Sequence, residues 1–156
     1  MSTESDSHAR QNLLTGEWVL VSPHRNTRPW QGQVETADST AEPDYVPDCY
    51  LCPGNDRAGG NVNPDYRGSF VFDNDFPALS ATSGIDVQSD GLFRSRRETG
   101  RCRVVCYTEK HNQRLATMTV DDIAAAIETL IDEFRSLEAL DSINYVQIFE
   151  NRGQMM

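Results

Sequence analysis

The sequence predicts an α+β domain in which an antiparallel sheet carries one long helix on one of its faces. Three observations lead to this class. Short strand-like runs precede a single region with helical periodicity, and one more apolar run follows it. Apolar residues make up 38 % of the chain, which suffices for a packed core. The length of 156 residues fits one domain.

The first part of the chain contains the predicted strands. Residues 1–10 are polar and lack the apolar run of a signal peptide, so we expect a disordered tail before a domain at 11–156. The run Gly-Glu-Trp-Val-Leu-Val-Ser at 16–22 predicts a buried strand, and Ser-Phe-Val-Phe at 69–72 a second. Residues 101–107 alternate and predict a third. The intervening segments at 33–48 and 80–92 are rich in polar and turn residues and are predicted to be loops.

The predicted helix runs from about Val120 to Leu140. Thr119 is a suitable N-cap, and Asp122 follows it at the spacing of a capping box. The apolar residues of this segment recur with the period of a one-sided helix and are Ile123, Ile127, Leu130, Ile131, Phe134 and Leu137. An apolar strand is then predicted at Tyr145–Phe149, with an open edge that lacks a neighbouring strand.

Charge excludes two classes of partner. The chain has 24 acidic and 14 basic residues, a net charge of −10, and such a surface repels nucleic acid and anionic lipid. No apolar stretch is long enough for a membrane span. All basic residues except Lys110 are arginines, which indicates either a compositional bias or a local cluster that binds phosphate.

The clearest chemical motif is Cys49-Tyr50-Leu51-Cys52, followed by a Pro-Gly turn. This spacing lets two thiolates chelate one tetrahedral ion, for which zinc is the natural candidate; a redox pair is the alternative, but the thioredoxin-type strand–helix context is missing. A closed site needs more ligands, and a loop could bring His111 to the motif. His8 lies in the expected tail, and His24 stands near two arginines.

The other two cysteines do not fit the same site. Cys102 and Cys106 lie roughly 13 Å apart along a strand, so both cannot reach one ion; we interpret them as buried small residues. Because the N-terminus lacks a signal peptide, we expect a cytoplasmic protein, and the reducing compartment argues against a disulfide framework and favours metal binding by the cysteines.

Two further clusters could bind a nucleotide. Arg25 and Arg28 could clamp a diphosphate, although a solvated basic loop would have the same composition. Asn74, Asp75 and Phe76 follow a predicted strand and could contact a base and its ribose, although an Asx-turn with a core phenylalanine would also have this pattern.

Several segments in register resemble one family, galactose-1-phosphate uridylyltransferase, of the histidine-triad superfamily. The resemblance covers the chain from about Arg10 onwards and rests on residues 12–25, 28–32, 48–55, 63–66, 72–79 and 146–153, which include Ser-Pro-His-Arg, Asp-Cys-Tyr-Leu-Cys-Pro-Gly-Asn, Asn-Pro-Asp-Tyr, Asp-Asn-Asp-Phe-Pro and Phe-Glu-Asn-Arg-Gly. It implies the first histidine-triad-like half of that fold, without its last strand.

The resemblance also implies an activity and its residues. Family members transfer uridylyl from UDP-glucose to galactose 1-phosphate, giving UDP-galactose, through a nucleophilic histidine. By this resemblance Cys49, Cys52 and His111 bind zinc. The residues implied for the nucleotide are Asn74, Asp75 and Phe76 around the uridine, Ala58 at the base, Asn151 near the phosphates, and Arg25 and Arg28 across a homodimer interface.

One part of the family pattern does not occur in these 156 residues. The family's Gly-Cys-Ser-Asn-Pro-His-Pro-His-Gly-Gln stretch, which holds the nucleophilic histidine and the fourth zinc ligand, would follow Arg152-Gly153. The resemblance therefore implies a nucleophile beyond Met156 and no catalytic residue within these 156. Three interpretations stay open. The chain is the N-terminal portion of a uridylyltransferase, one of two associating chains, or a free-standing zinc module that binds a nucleotide sugar without catalysis.

Overall fold

The computed structural model describes residues 6–27, 42–82 and 88–151. Its strands are β1 (His8–Gln11), β2 (Trp18–Val21), β3 (Phe70–Asp73), β4 (Gln88–Asp90), β5 (Phe93–Arg97) and β6 (Arg103–Cys106), and its helix is α1 (Val120–Glu138). Two compact units divide the chain, one of residues 1–30 and 76–102 and one of residues 31–75 and 103–156.

Some of the predictions concern residues that the structure does not describe. Arg28, the first five residues of the expected tail and most of the expected loop at 33–48 lie outside the described residues. The same is true of Met156, at which the expected domain ends and beyond which the resemblance implies the nucleophile. The expected boundary at Met156 therefore stays a prediction.

The first unit contains a four-stranded antiparallel sheet in the order β2-β1-β5-β4. The expected disordered tail is therefore wrong from His8 onwards, because β1 pairs with β2 on one side and β5 on the other. His8 and Ala9 are each only 3 % exposed. The His8 ring is tolerated there because Nδ1 lies 2.7 Å from the Asp6 carbonyl and Nε2 accepts a hydrogen bond from Arg10 Nε.

Two other predictions for this unit are also corrected. The expected loop at 80–92 contains β4, which forms a tight hairpin with β5 across Gly91 and Leu92. Gly91 has a φ of +54°, as a two-residue hairpin turn of the Gly-X type requires. β2 is confirmed as a strand, but its residues Trp18, Val19 and Leu20 are 37–57 % exposed rather than buried.

The second unit contains the antiparallel pair β3–β6, and both of these strands were predicted. Phe72 on β3 is buried. Asp73 stands opposite Arg103 in the register, and Arg103 binds both Asp73 and Glu133 of α1 at 2.9 Å. This arginine therefore joins the small sheet to the helix.

Helix α1 confirms its prediction closely. The Thr119 hydroxyl accepts a hydrogen bond from the Asp122 N–H at 3.2 Å and donates one to the Asp122 carboxylate at 2.7 Å. The α+β class, with antiparallel strands and one long helix, is confirmed. No helix in the described part of the chain has the length and apolarity that crossing a bilayer would require.

The segment after α1 differs from its prediction. Residues 145–149 form no ladder with any described strand, so the predicted strand with an open sheet edge is wrong there. Ile148 instead lines a groove of about 400 Å³ on the apolar face of α1, together with Ile127, Leu130, Ile131 and Phe134. An extended segment without a partner strand satisfies no ladder hydrogen bonds, and here its apolar side chain contributes to the helix groove.

Candidate metal and nucleotide site

Three predicted metal ligands converge in the second unit. The ligand atoms of Cys49, Cys52 and His111 all lie within 4.8 Å of one another. Cys52 Sγ is 3.6 Å from His111 Nδ1. Two thiols and an imidazole at these separations could hold one metal ion, and this donor set is the one that borderline-soft divalent metals prefer.

The cysteine turn has the backbone geometry of a metal knuckle. The Leu51 N–H points at Cys49 Sγ at 3.4 Å, and the Cys52 N–H donates to the Cys49 carbonyl at 3.2 Å. An N–H aimed at sulfur stabilises a thiolate. The turn is thus arranged to bind a cation before any cation arrives.

Three polar side chains hold this turn in place. Asn63 is 3 % exposed, and its amide donates to the carbonyls of Tyr50 and Cys52 at 2.9 Å each. The Asn55 amide donates to the carbonyls of Val46 and Cys49, at 2.9 and 2.7 Å, and the Tyr66 hydroxyl donates to the Leu51 carbonyl at 2.7 Å. Carbonyls that a tight turn leaves without helix or sheet partners are satisfied in this way.

His111 reaches the knuckle from the loop after β6. Its backbone N–H donates to the Asp44 carbonyl at 2.7 Å, and the neighbouring Asn112 amide donates to the Glu42 carbonyl and the Asp44 carboxylate. Because these bonds anchor the loop to the segment that precedes Cys49, they bring the imidazole to the thiols. The predicted approach of His111 through a loop is confirmed.

Burial affects the protonation of two of the thiols, Cys52 and Cys106. It raises the pKa of Cys52, so a bound cation would have to displace a proton there. Burial also raises the pKa of Cys106 to about 11, although a hydrogen bond with the Tyr66 hydroxyl opposes this rise. Neither Cys102 nor Cys106 belongs to the three-ligand group, and both are half-buried.

A short glycine-rich loop follows the knuckle and carries Ala58. Asp56 and Val62 form an antiparallel bridge, and the Arg57 N–H donates to the Asn61 carbonyl at 2.7 Å. The tip is a single 3₁₀ turn over Ala58–Gly60, in which both glycines have φ above +70°. This conformation favours glycine and leaves Ala58 half-buried at the tip.

The structure brings this loop to Asp75. The Asn61 amide donates to the Ala58 carbonyl at 3.3 Å and to Asp75 Oδ1 at 3.2 Å, while Arg57 Nε lies 3.3 Å from Asp75 Oδ2. Ala58 and Asp75, two of the predicted nucleotide residues, therefore share one surface. Sequence reasoning missed Arg57 and Asn61, although they flank Ala58 and its two glycines.

The other predicted nucleotide residues that the structure describes are divided between the two units. In the second unit Asn74 is half-buried and Asn151 is exposed. In the first unit Arg25 is exposed in a 3₁₀ turn over Pro23–Thr27, and Phe76 is half-buried. His24 of that turn places Nε2 2.6 Å from the Pro77 carbonyl.

Comparison with known proteins assigns the family. The family model described as galactose-1-phosphate uridyl transferase, N-terminal domain, matches residues 1–156. The chain belongs to the galactose-1-phosphate uridylyltransferase family. It corresponds to the N-terminal domain of that family, so the resemblance in the sequence motifs is confirmed.

Individual relatives agree with this assignment. Galactose-1-phosphate uridylyltransferase of Haemophilus influenzae is 45 % identical over 150 residues, which cover 96 % of this chain and 42 % of the relative. The protein of that name from Saccharomyces cerevisiae is 41 % identical over 166 residues, covering 97 % and 45 %. The chain thus spans less than half the length of these uridylyltransferases.

A solved structure titled "Structure of uridylyltransferase" shares the fold. It matches with a TM-score of 0.55 at 20 % identity and covers 83 % of this chain and 34 % of its own. This likeness supports the α+β fold of the domain.

Proposed function

We propose that this chain is the part of a UDP-glucose–hexose-1-phosphate uridylyltransferase that binds the uridine and a structural zinc ion. In that reaction uridylyl moves from UDP-glucose to galactose 1-phosphate by way of a uridylyl-histidine, as part of galactose metabolism. The observation that carries the proposal is the junction of Ala58 and Asp75 through Asn61, in the unit that also holds Cys49, Cys52 and His111.

The uridine half of the proposal follows from the chemistry of that junction. An ionised carboxylate accepts hydrogen bonds only, and vicinal ribose hydroxyls are suitable donors. Asp75 is the implied acceptor, with Asn74 and Phe76 beside it along the chain and Ala58 at the base. Asn151 is proposed to contact the phosphates, and Arg25 and Arg28 the nucleotide sugar of the other subunit in a homodimer.

Zinc is the proposed metal because the distances suit it. Bonds of about 2.3 Å to sulfur and about 2.1 Å to nitrogen at a tetrahedral angle separate the two donor atoms by about 3.6 Å. Cys52 Sγ and His111 Nδ1 are 3.6 Å apart. When bound, zinc would supply a cross-link between the knuckle and the loop after β6. The thiols must stay reduced for this, which supports the cytoplasm as the proposed compartment.

The histidines of this chain do not supply the nucleophile in the proposed reaction. His8 is buried, and both of its ring nitrogens are engaged by neighbouring residues. His24 Nε2 contacts the Pro77 carbonyl, and His111 belongs to the metal group. We therefore assign the nucleophile to the family's Pro-His-Pro-His stretch, which would lie beyond Met156 and which these 156 residues do not contain.

The same observation favours a second candidate, a zinc module that binds a nucleotide sugar without catalysis. A transfer assay with UDP-glucose and galactose 1-phosphate separates the two candidates. Protein isolated from its native cell should form UDP-galactose if the transferase proposal is right. Binding of UDP-glucose without any transfer by that native protein would favour the module.

The metal is tested by elemental analysis of purified variants. We expect about one zinc per chain for the unaltered protein, and loss of that zinc in Cys49→Ser and His111→Ala, because two remaining ligands bind weakly. Cys102→Ser is the matched control and should keep the metal. Equal zinc content in Cys49→Ser and Cys102→Ser would contradict the assigned ligands.

A further inference from the structure

Arg57 carries a buried positive charge, and the function proposed above gives its side chain no role. Its side chain is 10 % exposed, and Nε and Nη1 are buried without a hydrogen-bond partner. A buried guanidinium with unused donors is costly unless a charge or an aromatic ring compensates for the lost water. Both kinds of compensation are present here.

The ring of Phe72 supports the guanidinium from one side. The Arg57 guanidinium carbon lies 3.8 Å from the ring centroid, which is a close cation–π contact. Phe72 is itself only 8 % exposed and is fixed on β3 by pairing with Val104 of β6. The planar group is therefore held on a rigid strand, and its position does not depend on the loop alone.

The carboxylate of Asp75 supplies the compensating charge. Arg57 Nε lies 3.3 Å from Oδ2, yet it makes no hydrogen bond, whereas Oδ1 accepts one from Asn61. Arg57 therefore attracts Oδ2 electrostatically without taking up its lone pairs. The Asp75 side chain retains 14 % exposure, and these lone pairs have no donor among the described residues.

We infer that Arg57 is a positioning residue for uridine recognition. Stacked on Phe72, it holds the Asp75 carboxylate in the orientation in which Oδ2 accepts a hydrogen bond from a ribose hydroxyl of the nucleotide. This inference rests on the proposed function, and it assigns to Arg57 and Phe72 a role that acts through Asp75. A merely structural arginine would lower affinity for every nucleotide alike, whereas this role is specific to the ribose hydroxyls.

The test compares two nucleotides by titration calorimetry on the zinc-loaded chain, UDP and 2′,3′-dideoxy-UDP. A hydroxyl bonded to a carboxylate changes affinity by roughly 10- to 100-fold, so the unaltered chain should prefer UDP by about that factor. Arg57→Met should reduce the preference to within about threefold. Arg67→Met is the matched control, because this arginine of the same unit is 80 % exposed and its ion-pair partner is Glu109, at 4.0 Å, and not Asp75.

A double variant shows whether Arg57 acts through Asp75. Asp75→Ala should abolish the preference, and adding Arg57→Met to it should change the ratio no further. If Arg57→Met does not fold, Arg57→Lys takes its place, and its preference should fall at least about threefold because lysine lacks the planar group that stacks on Phe72.

The outcomes separate this inference from the function on which it rests. A full preference for UDP in Arg57→Met, or in Arg57→Lys where only that variant folds, would overturn the role of Arg57 and leave the proposed function standing. A chain that binds neither nucleotide, with its zinc in place, would overturn both.

Discussion

Asn63 offers the sharpest test of how the metal knuckle is built. Its buried amide donates to the carbonyls of Tyr50 and Cys52 at 2.9 Å each, and Asn63→Ala removes both bonds and leaves the buried Cys52 carbonyl without this donor. Each bond contributes about 1 to 1.5 kcal/mol, so the free energy of unfolding should fall by about 2 to 3 kcal/mol. Asn63 Oδ1 is buried without a hydrogen-bond partner, which destabilises the unaltered protein. Because the substitution also removes this atom, we expect the decrease in the free energy of unfolding to lie in the lower half of this range.

Urea denaturation of the metal-free protein measures this change directly. Asn12→Ala is the control, because the Asn12 side chain caps an exposed turn through one bond to the Leu14 N–H and should change stability by less than about 1 kcal/mol. Zinc affinity should fall with Asn63→Ala as well. The metal binds the folded turn at Cys49–Cys52, and the substitution makes that folded turn less stable. A change below about 0.5 kcal/mol with unaltered zinc affinity would refute the reasoning.

Two more predictions concern the second unit. Thr119→Ala should lower the free energy of unfolding by about 1 kcal/mol in urea denaturation, because it removes the N-cap of α1; a change below about 0.3 kcal/mol would mean that the cap is not needed. Cys106 binds its proton more tightly when folded, since burial raises its pKa from 9.0 to about 11. The stabilisation that the protonated Cys106 thiol adds to the free energy of unfolding is therefore complete below pH 9. It is lost as the pH rises to about 11, which lowers that free energy by about 2 to 3 kcal/mol. Cys106→Ser should flatten this alkaline decline, and an equally steep decline in that variant would contradict the assignment.

The parts that the sequence predicts well are those whose determinants are local. The Cys49–Cys52 turn and helix α1 each carry their signal within a few residues, as chelating spacing, an N-cap and apolar periodicity. The position of His111 depends in addition on contacts between two loops, in which the His111 N–H and the Asn112 amide both donate to Asp44. Arg25, Arg28 and the segment Asn74–Phe76 were candidates from local composition, whereas Ala58 and Asn151 came from the family resemblance alone. The contact of Ala58 and Asp75 through Asn61 is a long-range feature that neither source predicted.

The elements that escaped prediction depend on distant partners. β1 is polar in sequence and is recognisable only through its pairing with β2 and with the remote β5. β4 and β5 lack alternating apolar residues, and Gly91 was the one local sign of their hairpin. At Tyr145–Phe149 a strand was predicted and none is formed. An apolar run with β-branched residues becomes a strand only where another strand pairs with it. Arg57 was missed because its importance lies in Phe72 and Asp75, 15 and 18 residues further along the chain.

The central claim is that the second unit binds a metal and a uridine nucleotide at neighbouring loops. The most direct measurement is an amide NMR titration of the zinc-loaded chain with UDP-glucose. We predict that the largest shift changes fall on Ala58, Asn61 and Asp75, and that they vanish in Asp75→Ala. No shift change at millimolar nucleotide, or changes confined to residues other than this loop and residues 70–76, would contradict the account.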